Sequence, residues 1–217
     1  MKREINLYIF LLVVMSLLLF CSGASGHIYN PSEDKQQREL SSFNNSNSDN
    51  IIISLSRIEL NPRFAKTYFS RGLVWFMKGD YDKAIGDYSK AIKINPRYAK
   101  AYYGRGFAEF KKGNYSKVID NYTRTIELNP RFSRAYYGRG LVLYLQGNYN
   151  KAMADYNKAI EINPMYADAY IIRGLTWCKQ GYYGKAMAEF QRVLKIDPFD
   201  VRAKQFLLFV SRELKNQ

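Results

Sequence analysis

The chain has 217 residues, 47% of them hydrophobic, with one histidine, two cysteines and a formal net charge of +14. That length and apolar content suit one or two folded domains, while a single histidine and the lone Cys21 and Cys178 exclude a disulfide framework and most zinc sites. The charge is not a tail: residues 1–64 carry six Lys/Arg against six Asp/Glu, so the whole excess lies in residues 65–217.

The first element, residues 1–21, reads as an export signal. "MKREIN" gives a basic start, and "LYIFLLVVMSLLLF" is a run of 14 mostly apolar residues, short for a spanning helix and right for a signal core. The stretch "LLFC" resembles a bacterial lipobox, which implies lipidation at Cys21, although Phe20 stands where a small residue is usual. Ordinary cleavage near Ala24 or Ser25 and an uncleaved anchor are the alternatives. All three place the remainder outside the cytoplasmic face. Residues 22–48 follow as a polar, Ser- and Asn-rich tether without periodicity, with His27 alone in it.

Beyond the tether a phrase recurs. "NPRFAKTYFSRG" at 61–72 returns as "NPRYAKAYYGRG" at 95–106, "NPRFSRAYYGRG" at 129–140 and "NPMYADAYIIRG" at 163–174. The period of 34 residues divides the chain into units 65–98, 99–132, 133–166 and 167–200. In each, one helical stretch ends at Gly79, Gly113, Gly147 or Gly181, and a second runs to Pro96, Pro130, Pro164 or Pro198. Each unit is therefore expected to be a helical hairpin. Mid-helix Gly72, Gly106, Gly140 and Gly174, opposite small Ala84, Val118, Ala152 and Ala186, suggest close helix crossing. Tyr68, Tyr102, Tyr136 and Tyr170 are expected inside on the first helix. On the second, Tyr88, Tyr122, Tyr156 and Phe190 are expected inside, with Tyr81, Tyr115, Tyr149 and Tyr183 following the turn.

This pattern resembles the tetratricopeptide repeat, fully over 65–200, with "IIISLSRIELNPRF" at 51–64 resembling the second half of a preceding unit, a half repeat or cap helix at 49–64. The fold class implied is an all-α, right-handed superhelical solenoid of helical hairpins. Residues 201–217 read as an amphipathic capping helix. Glu109, where other units carry Trp75, Leu143 and Trp177, and Thr125 depart from the pattern and suggest a looser second unit. Arg71, Arg105, Arg139 and Arg173 stand 16 residues before Asp87, Asn121, Asp155 and Glu189, a spacing that favours pairing inside each hairpin over an exposed arginine stripe. In the second unit Asn121 cannot neutralise Arg105, though Asp120 is adjacent.

The resemblance also implies a peptide-binding groove lined by the first helices. Its positions fall on Lys66, Phe69, Leu73, Phe76 and Met77, then Lys100, Tyr103, Phe107, Phe110 and Lys111. The third unit contributes Arg134, Tyr137, Leu141, Tyr144 and Leu145, and the fourth Asp168, Ile171, Leu175, Cys178 and Lys179. Aromatic anchors beside a basic edge suit an amphipathic helix or extended peptide with acidic flanks. Packing between neighbouring repeats is the competing role for the same side chains. Leu73, Phe107 and Leu141 replace the asparagines of the family's carboxylate clamp, so that clamp is not expected.

The first two units carry a net +4 each, against +2 and +1 for the third and fourth. Export argues against nucleic acid, leaving an anionic cell-wall polymer or lipid surface as the alternative ligand of the basic face, and self-association as a structural alternative. No catalytic residue, metal site or cofactor is expected, and Cys178 reads as an apolar filler. The sequence thus points to a non-enzymatic, exported, membrane-tethered scaffold for a protein partner.

Overall fold

The computed structural model describes residues 64–215. The signal segment with Cys21, the tether, and the half repeat at 49–64 apart from Phe64 lie outside the described residues. Among the described residues there are nine helices: α1 (Ala65–Met77), α2 (Tyr81–Ile94), α3 (Ala99–Lys111), α4 (Tyr115–Leu128), α5 (Ser133–Leu145), α6 (Tyr149–Ile162), α7 (Ala167–Lys179), α8 (Tyr183–Ile196) and α9 (Val201–Lys215). The architecture is all-α, built of paired helical hairpins. Residues 64–162 belong to one compact unit and 163–215 to a second.

The local punctuation explains the recurring phrase. Each first helix closes into a glycine with φ of 76° to 81° (Gly79, Gly113, Gly147, Gly181), a left-handed conformation that a Cβ penalises. Asp80 then caps α2 by accepting the Lys83 N–H at 3.1 Å. At the other end the proline after Asn95, Asn129, Asn163 or Asp197 bars the helix from continuing. The Asn or Asp side chain closes the turn, its Oδ1 accepting the backbone N–H two residues on, from Arg97, Arg131, Met165 and Phe199 at 2.9–3.2 Å. "NPR" is thus a helix stop and an Asx turn in three residues.

In the unit of residues 64–162, α1 packs on α2, α3 on α4 and α5 on α6, and the hairpins join through α2–α3 and α4–α5. The core column is aromatic: Tyr88, Tyr122 and Tyr156 are at most 2% exposed. Their rings, rather than the fully buried Ala84, Val118 and Ala152, are what the glycines make room for. A Cβ on Gly106 would lie 2.8 Å from the Tyr122 ring, and one on Gly138 would lie 2.6 Å from its other edge. In "GRG" the second glycine therefore admits the tyrosine of its own hairpin, and the first admits that of the hairpin before. Burying such a ring contributes about 2 kcal/mol or more, which exceeds the ~1 kcal/mol that a helical glycine costs.

Tyr68, Tyr102 and Tyr136 differ from the expectation of a second core column. They are half-buried. Guanidinium groups cover them, with Arg71, Arg105 and Arg139 lying 5.5–5.9 Å from the ring centroids.

In the unit of residues 163–215, Phe190 of α8 is fully buried, lies against Gly174 of α7 and stacks on Phe206 of α9 at 5.1 Å. Ala203, Phe206 and Val210 turn inward at helical spacing. Arg202 secures the start of α9 by binding Asp200 at 2.8 Å and Asp168 at 2.7 Å. Burial opposes ionisation of Asp200, but the Arg202 side chain and the Ala203 N–H outweigh it and hold the carboxyl below its ordinary value.

Candidate functional site

The first helices of the larger unit assemble a run of aromatic side chains across two hairpins. Phe76 of α1 stacks on Phe107 of α3 with ring centroids 4.9 Å apart, and Phe107 continues to Tyr103 at 6.5 Å. Tyr103 is propped from below by Tyr122 at 5.3 Å and from the side by Phe132 at 4.9 Å. Leu73, Phe76, Tyr103, Phe107 and Phe110 are half-buried and Met77 is 41% exposed. Lys111 holds its ammonium 5.7 Å from the Phe107 ring centroid, and Lys66 and Lys100 are exposed on the same helices.

Other residues at the expected groove positions are enclosed. Phe69 is buried between Tyr88 and Tyr98, with centroids at 5.7 and 5.2 Å. Tyr137, Leu141 and Tyr144 of α5 are 3%, 3% and 6% exposed, while Arg134 and Leu145 are half-buried. In the smaller unit Ile171, Leu175 and Cys178 are buried, Lys179 is half-buried and Asp168 is engaged by Arg202. Burial thus differs along the expected groove: apart from Phe69, the aromatic positions of α1 and α3 are half-buried, and most of the α5 and α7 positions are buried. Burial pushes the Cys178 thiol up to about 12, which leaves almost no thiolate at neutral pH.

The arginine column closes inside each hairpin. Arg71 grips Asp87 through Nε and Nη2 at 2.5 and 2.6 Å, and Arg139 grips Asp155 in the same way at 2.9 and 2.7 Å. Arg173 reaches Glu189 at 2.8 Å. Arg105 finds the neutral Asn121 instead, its Nε donating to Oδ1 at 2.8 Å, and Asp120 is exposed and not among its acceptors. Between hairpins, Arg105 and Arg139 each donate through Nη1 to a hydroxyl of the preceding unit, Ser89 at 3.2 Å and Thr123 at 3.0 Å.

Family models decide what this arrangement is. The model described as "Tetratricopeptide repeat" matches residues 99–132 and 133–166, a second of the same description matches 167–200, and one described as "TPR repeat" matches 76–113. Together they run without a gap from 76 to 200, more than half of the chain. The chain belongs to the tetratricopeptide-repeat family.

Among solved structures, the crystal structure of MamA is 29% identical, with a TM-score of 0.65 over 79% of this chain and 97% of MamA. The first TPR of Spaghetti (RPAP3) bound to the HSP90 peptide SRMEEVD is 26% identical, with a TM-score of 0.52 over 54% of this chain and 93% of that one. MamA from Desulfovibrio magneticus RS-1 shares the fold at 20% identity, with a TM-score of 0.64 over 78% of this chain and 94% of that one. No curated protein sequence matches the chain.

A tetratricopeptide-repeat array is a protein–protein interaction scaffold. Among the described residues no group of three or more His, Cys, Asp or Glu side chains is placed to hold a metal ion, and no helix is long and apolar enough to cross a membrane.

Sequence reasoning mistook one tetratricopeptide position. Glu109 does not loosen the second unit. It is 4% exposed, accepts a hydrogen bond from Asn114 Nδ2 at 2.6 Å and lies 3.8 Å from the Lys117 ammonium. At the same place in the first and fourth units the lysine rests on an indole: Lys83 lies 4.5 Å from Trp75 and Lys185 lies 4.4 Å from Trp177. In these three units the lysine meets a π face or a carboxylate. The signal that could have found this was the lysine repeated eight residues after the variable position. The other departure, Thr125, is fully buried and returns its hydroxyl to the Asn121 carbonyl at 2.8 Å.

Proposed function

We propose that this tetratricopeptide-repeat protein is an exported, membrane-tethered adaptor that holds a peptide or helix of a partner protein on the first-helix face of its leading hairpins. The observation that carries the reading is the half-exposed run Phe76, Phe107 and Tyr103, flanked by Leu73, Met77 and Phe110 and edged by Lys66, Lys100 and Lys111. Such a surface offers flat apolar anchoring at its centre and positive charge at its rim, the arrangement that suits an amphipathic ligand with acidic flanks. The related RPAP3 domain holds an HSP90 peptide with acidic residues. In this chain Leu73, Phe107 and Leu141 occupy the carboxylate-clamp positions, so the ligand is gripped by its side chains more than by its terminus. The tether rests on the hydrophobic run 7–20 and Cys21.

The test is crosslinking capture with the full chain on its native membrane, beside a Phe76→Ala/Phe107→Ala variant, at low and physiological salt. A discrete protein retained in physiological salt and lost in the variant supports the adaptor. Capture of an anionic polymer or lipid that is insensitive to the variant and abolished by salt replaces it with the surface-binding reading, which the +4 charge of each of the first two units favours. Cys21→Ser should abolish lipid labelling; unchanged labelling removes the lipid tether from the proposal.

A further inference from the structure

One member of the arginine column faces no carboxylate sixteen residues on. In Arg71 and Arg139 the Nε and Nη2 atoms together clasp an aspartate. In the second hairpin the aspartate is replaced by Asn121, whose Oδ1 takes the Nε proton while its Nδ2 donates to the Lys117 carbonyl at 2.7 Å. The amide has one oxygen where a carboxylate has two, and that oxygen is met by Nε and not by Nη2. The Nη2 of Arg105 therefore has no acceptor among the described residues, while its Nη1 is held by Ser89. The guanidinium is half-buried, and burial pulls its affinity for the proton below the ordinary value, although Tyr102 and Glu109 oppose the shift. Around it the charge is positive: Arg124 lies 6.0 Å from the same Tyr102 ring, and Lys90, exposed, lies next to Ser89. The acids nearby are already engaged, Glu109 by Asn114 and Lys117 and Glu127 by Arg124 at the surface.

We propose that Arg105 is a docking point for a carboxylate carried by a partner protein, which supplies from outside the acceptor that Asp87 and Asp155 supply from within. A carboxylate is favoured because the flanking hairpins show the same guanidinium, on the same helix position, taking one through Nη2. The site lies on the side of α3 opposite Tyr103, since two residues turn a helix by about 200°. It rests on the adaptor reading only in taking the partner to be a protein, and its failure is distinguishable because the aromatic run is untouched.

The experiment titrates the full chain with a hexaglutamate peptide, and separately with inorganic phosphate, following the arginine side-chain NMR signals at physiological salt. The Arg105 signals should move first with the peptide. Asn121→Asp, which completes the series internally, should raise the melting temperature and weaken peptide binding roughly tenfold, the worth of a charge-assisted hydrogen bond. Arg105→Gln should weaken it as much. The charge-matched Asn148→Asp, just before α6 in the next hairpin, should bind as the parent does. Equal weakening by Asn148→Asp, or none by Asn121→Asp, overturns the proposal. Phosphate moving the Arg105 signals at lower concentration than the peptide overturns its partner class.

Discussion

Helices α3 and α5 contain the same six residues, "AYYGRG", at 101–106 and 135–140, and put them to different use. Gly106 and Gly140 each make room for a buried tyrosine ring, so the scaffolding is alike. The surroundings are not. Tyr103, Phe107 and Phe110 remain half-buried on α3, whereas Tyr137, Leu141 and Tyr144 are enclosed on α5. Arg139 clasps an aspartate and Arg105 an amide. The repeated phrase specifies how the hairpin is built, and the residues around it decide what the hairpin has left to offer.

Glycine substitution should break both hairpins alike and gives the largest effect. A valine at Gly106 or Gly140 would bring a Cβ within 2.8 and 2.7 Å of the tyrosine rings. Each should cost about 3 kcal/mol in denaturant unfolding, and a clear difference between them would show that the scaffolding is not shared. The aromatic truncations should then separate the helices: Tyr144→Ala costs about 3 kcal/mol because it empties an enclosed site, Phe110→Ala nearer 1 kcal/mol because part of its ring already meets water. Equal costs would mean that Phe110 belongs to the core. A reciprocal exchange probes the arginines. Asp155→Asn should lose about 1 kcal/mol by stranding an Nη2 donor, and Asn121→Asp should gain a similar amount. If Asn121→Asp destabilises, Arg105 is already satisfied.

Two smaller effects remain. The Tyr156 hydroxyl is buried without a hydrogen-bond partner, so Tyr156→Phe should stabilise by up to about 1 kcal/mol, measured as a rise in melting temperature. Outside the compared pair, Asp200 has its carboxyl held below the ordinary value, so its contribution is present at neutral pH. It fades as pH falls below about 4, through the folded-state value. The protection of α9 amides, taken relative to their intrinsic exchange rate at each pH, should fall there, and Asp200→Asn should show the lowered protection already at pH 7.

Much of this was legible in the sequence, because a residue that recurs every 34 positions reports a repeated physical constraint. The helix stops at Asn95–Pro96 and its copies, the left-handed Gly79 column and the Arg71–Asp87 pairing all follow from spacing and side-chain chemistry. The reason for each glycine was only half legible. Gly138 serves the tyrosine of the preceding hairpin, a contact between units that a single repeat does not display. The candidate site was less legible still. Tyr103 and Tyr137 occupy the same place in the same phrase, and their different exposure depends on what covers each helix, which no local pattern encodes. Glu109 looked like a defect because the column was defined by its apolar members rather than by the lysine that follows each of them eight residues on.

The chain-adjacent wiring of the larger unit bears on how it acquires its structure. Its helices pack mainly on the helices next to them in sequence, so most contacts close short loops. Chains wired in this way order quickly, and order started at any hairpin can spread to the next. Each hairpin of the larger unit thus becomes a seed for its neighbour.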